Sequence, residues 1–199
     1  MGYISNLLHR IFNLQFFMRV INKIEYISQR DARWSTTLIG DSQTSLGRKG
    51  CTITCLAMLT DYFKCKMTPA EIAKKDWFAY DSLQWINIDL PTFSFRWREG
   101  AYFSDKPVDM EVIYAYLSKG DNSKEANERA VLLEVANHSH WVVGLWKTVD
   151  NDILAIDPWT GKTCEVLKTY GNITGAALFI GNTKDAWRGK GKPVAPDFN

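Results

Sequence analysis

A thiol, an imidazole and a carboxylate stand at Cys51, His140 and Asp157, each where a polar loop meets an apolar run. Gly50-Cys51 closes the Gly- and Ser-rich stretch 39–50, and Ile53, Leu56, Ala57, Thr60 and Phe63 then recur at three- and four-residue steps, so a helix is expected to begin at the cysteine. The start of a helix offers unpaired N–H groups and a partial positive charge, and both favour thiolate over a thiol whose ordinary pKa is about 8.5. Gly50 lets the loop backbone come close and leaves room for a substrate carbonyl. Cysteines at such positions are in most proteins buried small hydrophobes, so the thiol needs partners before it implies chemistry.

His140 opens the run Trp141-Val142-Val143-Gly144-Leu145-Trp146, where a rigid strand can hold the ring at a cleft. His138 competes, and shares a face with His140 if the strand extends back that far. His140 is preferred because it abuts the apolar run. Asp157 ends the next apolar run, Ile153-Leu154-Ala155-Ile156, and Pro158-Trp159-Thr160-Gly161 reads as the turn that stops it. The short connection 147–152 predicts a hairpin, which brings the carboxylate within reach of the histidine's second N–H. The set is then that of nucleophilic catalysis: a thiol, a base, and a group that orients the base. Gln29, upstream of the cysteine, supplies a side-chain amide that could join the Cys51 N–H in binding an oxyanion.

Several elements must position these groups. The Thr68-Pro69-Ala70-Glu71 string is a capping signature and predicts a short helix to about residue 75. Residues 77–106 are aromatic without a clean period. A further helix is expected over 108–117, ended by Gly120, with a charged loop at 121–129. After it come five apolar, β-rich runs at 130–136, 141–146, 153–156, 163–166 and 176–180, separated by Asn, Asp, Gly and Pro. Helices first and antiparallel strands second make an α+β order.

The local strings carry a resemblance. Ser28-Gln29-Arg30-Asp31-Ala32-Arg33-Trp34, Gly50-Cys51 with Leu56-Ala57-Met58-Leu59, His140-Trp141-Val142-Val143-Gly144 and Asp157-Pro158-Trp159-Thr160-Gly161 resemble, in this order, the C39-like peptidases, relatives of the bacteriocin-leader peptidases. The resemblance spans residues 25–181. It implies a papain-like α+β fold with a helical half packed on an antiparallel sheet, and a cysteine peptidase acting through Cys51, His140 and Asp157 with Gln29 in the oxyanion hole. It implies no cofactor and no metal. The substrate implied is a peptide or protein, a peptidoglycan peptide included. Thr52-Ile53-Thr54 departs from the Gly-Pro that commonly follows the nucleophile.

Composition bounds the rest. With 199 residues, 46% of them hydrophobic, the chain supports one domain with a substantial core. A formal charge of +2 with no basic stripe speaks against nucleic acid as a partner. Four cysteines, Cys51, Cys55, Cys65 and Cys164, read as free thiols and leave the redox compartment open. Residues 1–24 carry an apolar stripe (Leu7, Leu8, Ile11, Phe12, Phe16, Val20, Ile24) at helical spacing and are expected to form an amphipathic extension that packs on the body, a membrane surface or a protein partner. Arg10 and Arg19 break it as a membrane span or secretory signal. Residues 182–199 read as a tail. Two rival functions remain: a zinc site on Cys51, Cys55, His138 and His140, and a non-catalytic binding or structural module, for example in a phage particle.

Overall fold

The structure is a computed structural model that describes residues 24–100, 108–118 and 129–181. The expected N-terminal extension and C-terminal tail lie outside these residues, apart from Ile24, which is buried in the core. The helices are α1 (Leu46–Lys49), α2 (Cys51–Tyr62), α3 (Pro69–Ile72), α4 (Met110–Ser118) and α5 (Val166–Tyr170). A two-stranded ribbon, β1 (Phe78–Ala79) and β2 (Ser82–Leu83), precedes the main sheet of β3 (Phe93–Gly100), β4 (Arg129–Val135), β5 (His140–Lys147), β6 (Ile153–Asp157), β7 (Lys162–Glu165) and β8 (Ile173–Gly181). The six strands lie in the order β3-β8-β4-β5-β6-β7 and every neighbouring pair is antiparallel. The α+β class is as expected.

The two faces of the sheet are both covered, which is why β4, β5 and β8 read as nearly continuous apolar runs rather than alternating ones. On one face Leu132, Trp141, Val143, Leu145, Ala177 and Phe179 pack against α2, whose Leu56, Ala57, Met58 and Leu59 are fully buried. Each such leucine contributes about 1.5–3 kcal/mol. On the other face Val131, Leu133, Val142 and Leu178 meet α4 through Ile113 and Leu117. Helices therefore flank the sheet on both sides, not only on the side of α2.

Local signals explain the helix ends. Thr68 Oγ1 accepts the Glu71 N–H at 3.2 Å while Glu71 Oε2 accepts the Thr68 N–H at 2.7 Å, the reciprocal cap that the sequence predicts. The helix it starts is only one turn long and ends at Ile72. The loop expected over 39–50 is more ordered than its composition suggests. Leu38 bridges Ser45, and α1 follows because Leu46 is an apolar anchor, fully buried. Residues 93–100, read from sequence as irregular, form an edge strand against β8 with a bulge between Phe95 and Trp97. The alternation Phe93, Phe95, Trp97 was the available signal. Among the described residues no helix is long and apolar enough to cross a membrane.

Gly144 of β5 sits opposite Val131 of the neighbouring β4, on the face covered by α4. A Cβ there would lie 2.8 Å from Val131 Cγ1 and 3.5 Å from Leu117 Cδ2. Because valine is stiff at χ1, Gly144→Ala is expected to lower unfolding stability by about 1–3 kcal/mol, seen as an earlier urea midpoint at unchanged m-value. An unshifted midpoint would show that the β4–α4 packing gives way freely.

Candidate active site

The α2–β5 contact brings the sequence-predicted groups together. Cys51 is the first residue of α2, and Gly50 before it admits no side chain, since a Cβ would stand 2.5 Å from the Leu46 carbonyl oxygen. The chain thus turns from α1 into α2 with almost no spacer. One turn into α2, the fully buried Cys55 thiol donates to the Trp141 carbonyl at 3.4 Å. The Trp141 N–H in turn bonds the Cys51 sulfur. The backbone of Trp141, next to His140, is so held between two sulfurs one helical turn apart.

His140 begins β5, and its Nε2 lies 2.7 Å from Asp157 Oδ1. Both side chains are largely buried. Cys51 lies within hydrogen-bonding range of the same ring, and with Nε2 engaged by the carboxylate, Nδ1 is the nitrogen left for the thiol. Asp157 ends β6, as expected, and its Oδ1 also accepts the Trp159 N–H at 2.8 Å, so the turn after the strand fixes the carboxylate that fixes the ring.

Charges follow from this geometry. Burial opposes the Cys51 thiolate, but the hydrogen bond and charge of His140 outweigh it and lower the thiol's pKa below its usual 9.0. Burial likewise opposes the imidazolium, yet Asp157 and Cys51 together raise His140 from 6.5 to about 9. Burial raises Asp157, and its bonds to His140 and the Trp159 N–H bring it below the usual carboxylate value. The shifts on both groups favour a thiolate–imidazolium pair backed by a carboxylate. The other thiols go the opposite way. Burial raises Cys55 and Cys65, and carries Cys164 to about 11. All four cysteines are free.

His138 is not an alternative base. It lies outside β5, in a turn where Ala136, Asn137 and His138 all take left-handed backbone angles (φ 51°, 51° and 65°). Its Nδ1 lies 2.8 Å from Glu134 Oε2, a buried carboxylate on β4. The strained turn, at about 1–2 kcal/mol per residue, separates the two rings that a longer strand would have aligned. With Cys55 turned to a backbone carbonyl and His138 to Glu134, the proposed zinc set does not converge. Among the described residues no group of three His, Cys, Asp or Glu side chains could hold a metal ion.

Gln29 is buried between the two halves of the site. Its N–H donates to the Pro158 carbonyl at 2.7 Å, next to Asp157, and its Nε2 donates to the carbonyls of Leu46 and Gly47 at 3.4 and 3.3 Å, just before Cys51. Its Oε1 is buried without a partner. An oxyanion role requires the amide to release one of these two long bonds to a substrate.

Tyr170 was not foreseen. Its ring centroid lies 5.7 Å from that of His140, and its hydroxyl lies within hydrogen-bonding range of Asp157. It ends α5, whose first N–H groups are capped from a distance: the buried Asp152 accepts from Leu167 N at 2.7 Å and Lys168 N at 3.1 Å. A five-residue helix capped by a residue of the distant β5–β6 connection leaves little trace in local sequence.

Comparisons of the chain with protein-family models, with curated proteins and with solved structures give no significant match.

Two outcomes are expected. Brief iodoacetamide treatment at neutral pH labels Cys51 ahead of Cys55, Cys65 and Cys164, as mapped by mass spectrometry; labelling elsewhere with Cys51 untouched refutes the ion pair. Tyr170→Phe keeps the ring and removes the hydroxyl, so the Asp157 titration followed by carbon NMR moves up toward 3.8. An unmoved titration would remove Tyr170 from the site.

Proposed function

We propose that the chain is a cysteine peptidase of the papain-like, C39-like kind, cleaving peptide or related amide bonds through an acyl-enzyme. The observation that carries this reading is the His140 ring, bonded to Asp157 at 2.7 Å through Nε2 and within range of Cys51 on its other side. The six-stranded antiparallel sheet with the nucleophile on a helix packed against it fits the papain-like architecture that the sequence resembles.

The chemistry follows from the charges. The Cys51 thiolate attacks the substrate carbonyl carbon, and the carbonyl oxygen takes up the negative charge. The N–H at the start of α2 faces that charge, joined by the Gln29 amide once a substrate displaces its carbonyl partners. The tetrahedral species collapses as the carbon–nitrogen bond breaks, and the imidazolium gives its proton to the leaving amine. His140, now neutral, takes a proton from water; the resulting hydroxide attacks the thioester, and acid and thiolate are released. Asp157 keeps the ring oriented and stabilises its charged form without accepting the proton.

Activity profiling against peptide and cell-wall peptide libraries tests the reading. Cys51→Ala and His140→Ala are expected to abolish turnover with the fold intact by circular dichroism. Asp157→Asn weakens it less, since that residue transfers no proton. Turnover is also expected to fall as pH rises through about 9. The raised His140 pKa means that the imidazolium is present below that value and lost above it, and the leaving amine then goes unprotonated. Turnover that persists in the His140→Ala protein would end the peptidase reading.

A further inference from the structure

In the proposed reaction the leaving amine departs toward His140, because that ring must hand it a proton. The part of a substrate that follows the scissile bond therefore rests on the surface beyond His140 and Asp157. Two segments build that surface and are locked together. Gln29 N donates to the Pro158 carbonyl at 2.7 Å, Ser28 Oγ to the Trp159 carbonyl at 3.2 Å, and Arg30 N to Ser28 Oγ at 3.2 Å. The packing is close enough that a Cβ on Gly161 would stand 3.2 Å from Ser28 Cβ. On this base lie an indole and a guanidinium. Trp159 is 44% exposed, and the Arg30 guanidinium carbon stands 4.7 Å from its ring centroid. The Trp159 N–H bonds the same Asp157 oxygen that holds His140, so the pair is registered to the base.

The charges on this surface are unequal in their partners. Arg33 is answered within its own loop by two bonds to Asp31, at 3.0 and 2.8 Å. Arg30 forms no ion pair among the described residues; its contact is the indole. A guanidinium over an aromatic face is held in place by cation–π attraction and keeps its in-plane N–H groups for a carboxylate.

We propose that Arg30 and Trp159 form the subsite for the residue directly after the scissile bond and select an anionic group there, a carboxylate from an acidic side chain or from a free C-terminus. This rests on the cysteine peptidase reading. The indole supplies a flat apolar floor, and the guanidinium supplies charge and two-pronged geometry.

The first test needs no known substrate. Iodoacetate and iodoacetamide differ chiefly in charge, and their alkylation rates at Cys51 are compared at low salt in the full chain. The imidazolium attracts iodoacetate in every variant, so the change in the rate ratio isolates Arg30. Arg30→Gln is expected to lower the iodoacetate-to-iodoacetamide ratio about threefold and Arg30→Glu more, with Arg30→Lys partly restoring it and high salt erasing the differences. The second test compares kcat/KM for peptides bearing Asp, Glu, Gln or Lys after the cleaved bond, and for peptides cleaved one residue from a free or an amidated C-terminus. A preference for Asp and Glu identifies the side chain as the anion, a preference for the free terminus identifies the terminal carboxylate, and Arg30→Glu reverses either. An unchanged alkylation ratio in Arg30→Glu, with Cys51 still reactive, overturns the subsite and leaves the peptidase reading standing. A Cys51 inert to both reagents sinks that reading and the subsite with it.

Discussion

The backbone of Trp141 joins the two halves of the molecule. Its carbonyl receives the Cys55 thiol and its N–H meets the Cys51 sulfur, so α2 and β5 are fixed to each other within one helical turn of the nucleophile. Much else serves this contact. Leu56, Met58 and Leu59 hold α2 on the sheet, Gly50 permits the sharp entry, and β6 stands beside β5 so that Asp157 can reach His140. A sulfur is a soft acceptor and a weak donor, and it suits a backbone that must be held close to a thiol without displacing it.

Burial would by itself neutralise both members of the Cys51–His140 pair, raising the thiol and lowering the imidazole. Their charged forms are favoured because each is the other's counter-ion and because Asp157 adds a second negative charge on the far side of the ring. That carboxylate is in turn held by the Trp159 N–H and approached by Tyr170, which α5 delivers, and α5 is anchored by the buried Asp152. The chain of support runs from Asp152, just before β6, through α5 back to the end of β6. Partly exposed thiols elsewhere in the protein have no such partners and remain protonated at neutral pH.

The sequence made legible what is encoded locally. The helix at Cys51, the capping box at Thr68, five of the strands and the hairpin of β5 and β6 that brings Asp157 to His140 follow from periodicity and turn residues, whereas the approach of Cys51 to His140 was implied by the family resemblance alone. What depends on distant contacts was hidden. The bulge of β3 arises in its pairing with β8, α5 takes its cap from Asp152, 15 and 16 positions before the N–H groups that bond it, and α1 exists because Leu46 is buried in the core. The separation of His138 from His140 rests on three successive left-handed residues, none of them glycine; Asn and His tolerate that conformation better than most, but a run of three has no local signature. Gln29 was recognised by its place before the cysteine, but its bonds to the Leu46 and Gly47 carbonyls were not.

The order of strands has a bearing on synthesis. Strand β8, last of the described strands, inserts between β3 and β4, pairing with both. Until it leaves the ribosome, β3 has no sheet partner and β4 keeps an open edge. Cys51, His140 and Asp157 are all translated earlier, yet the sheet that presses β5 onto α2 is incomplete without that final segment. The nascent chain thus carries Cys51 through most of elongation on an unfinished scaffold, and its arrangement with His140 and Asp157 is secured late, when one interior strand closes the sheet.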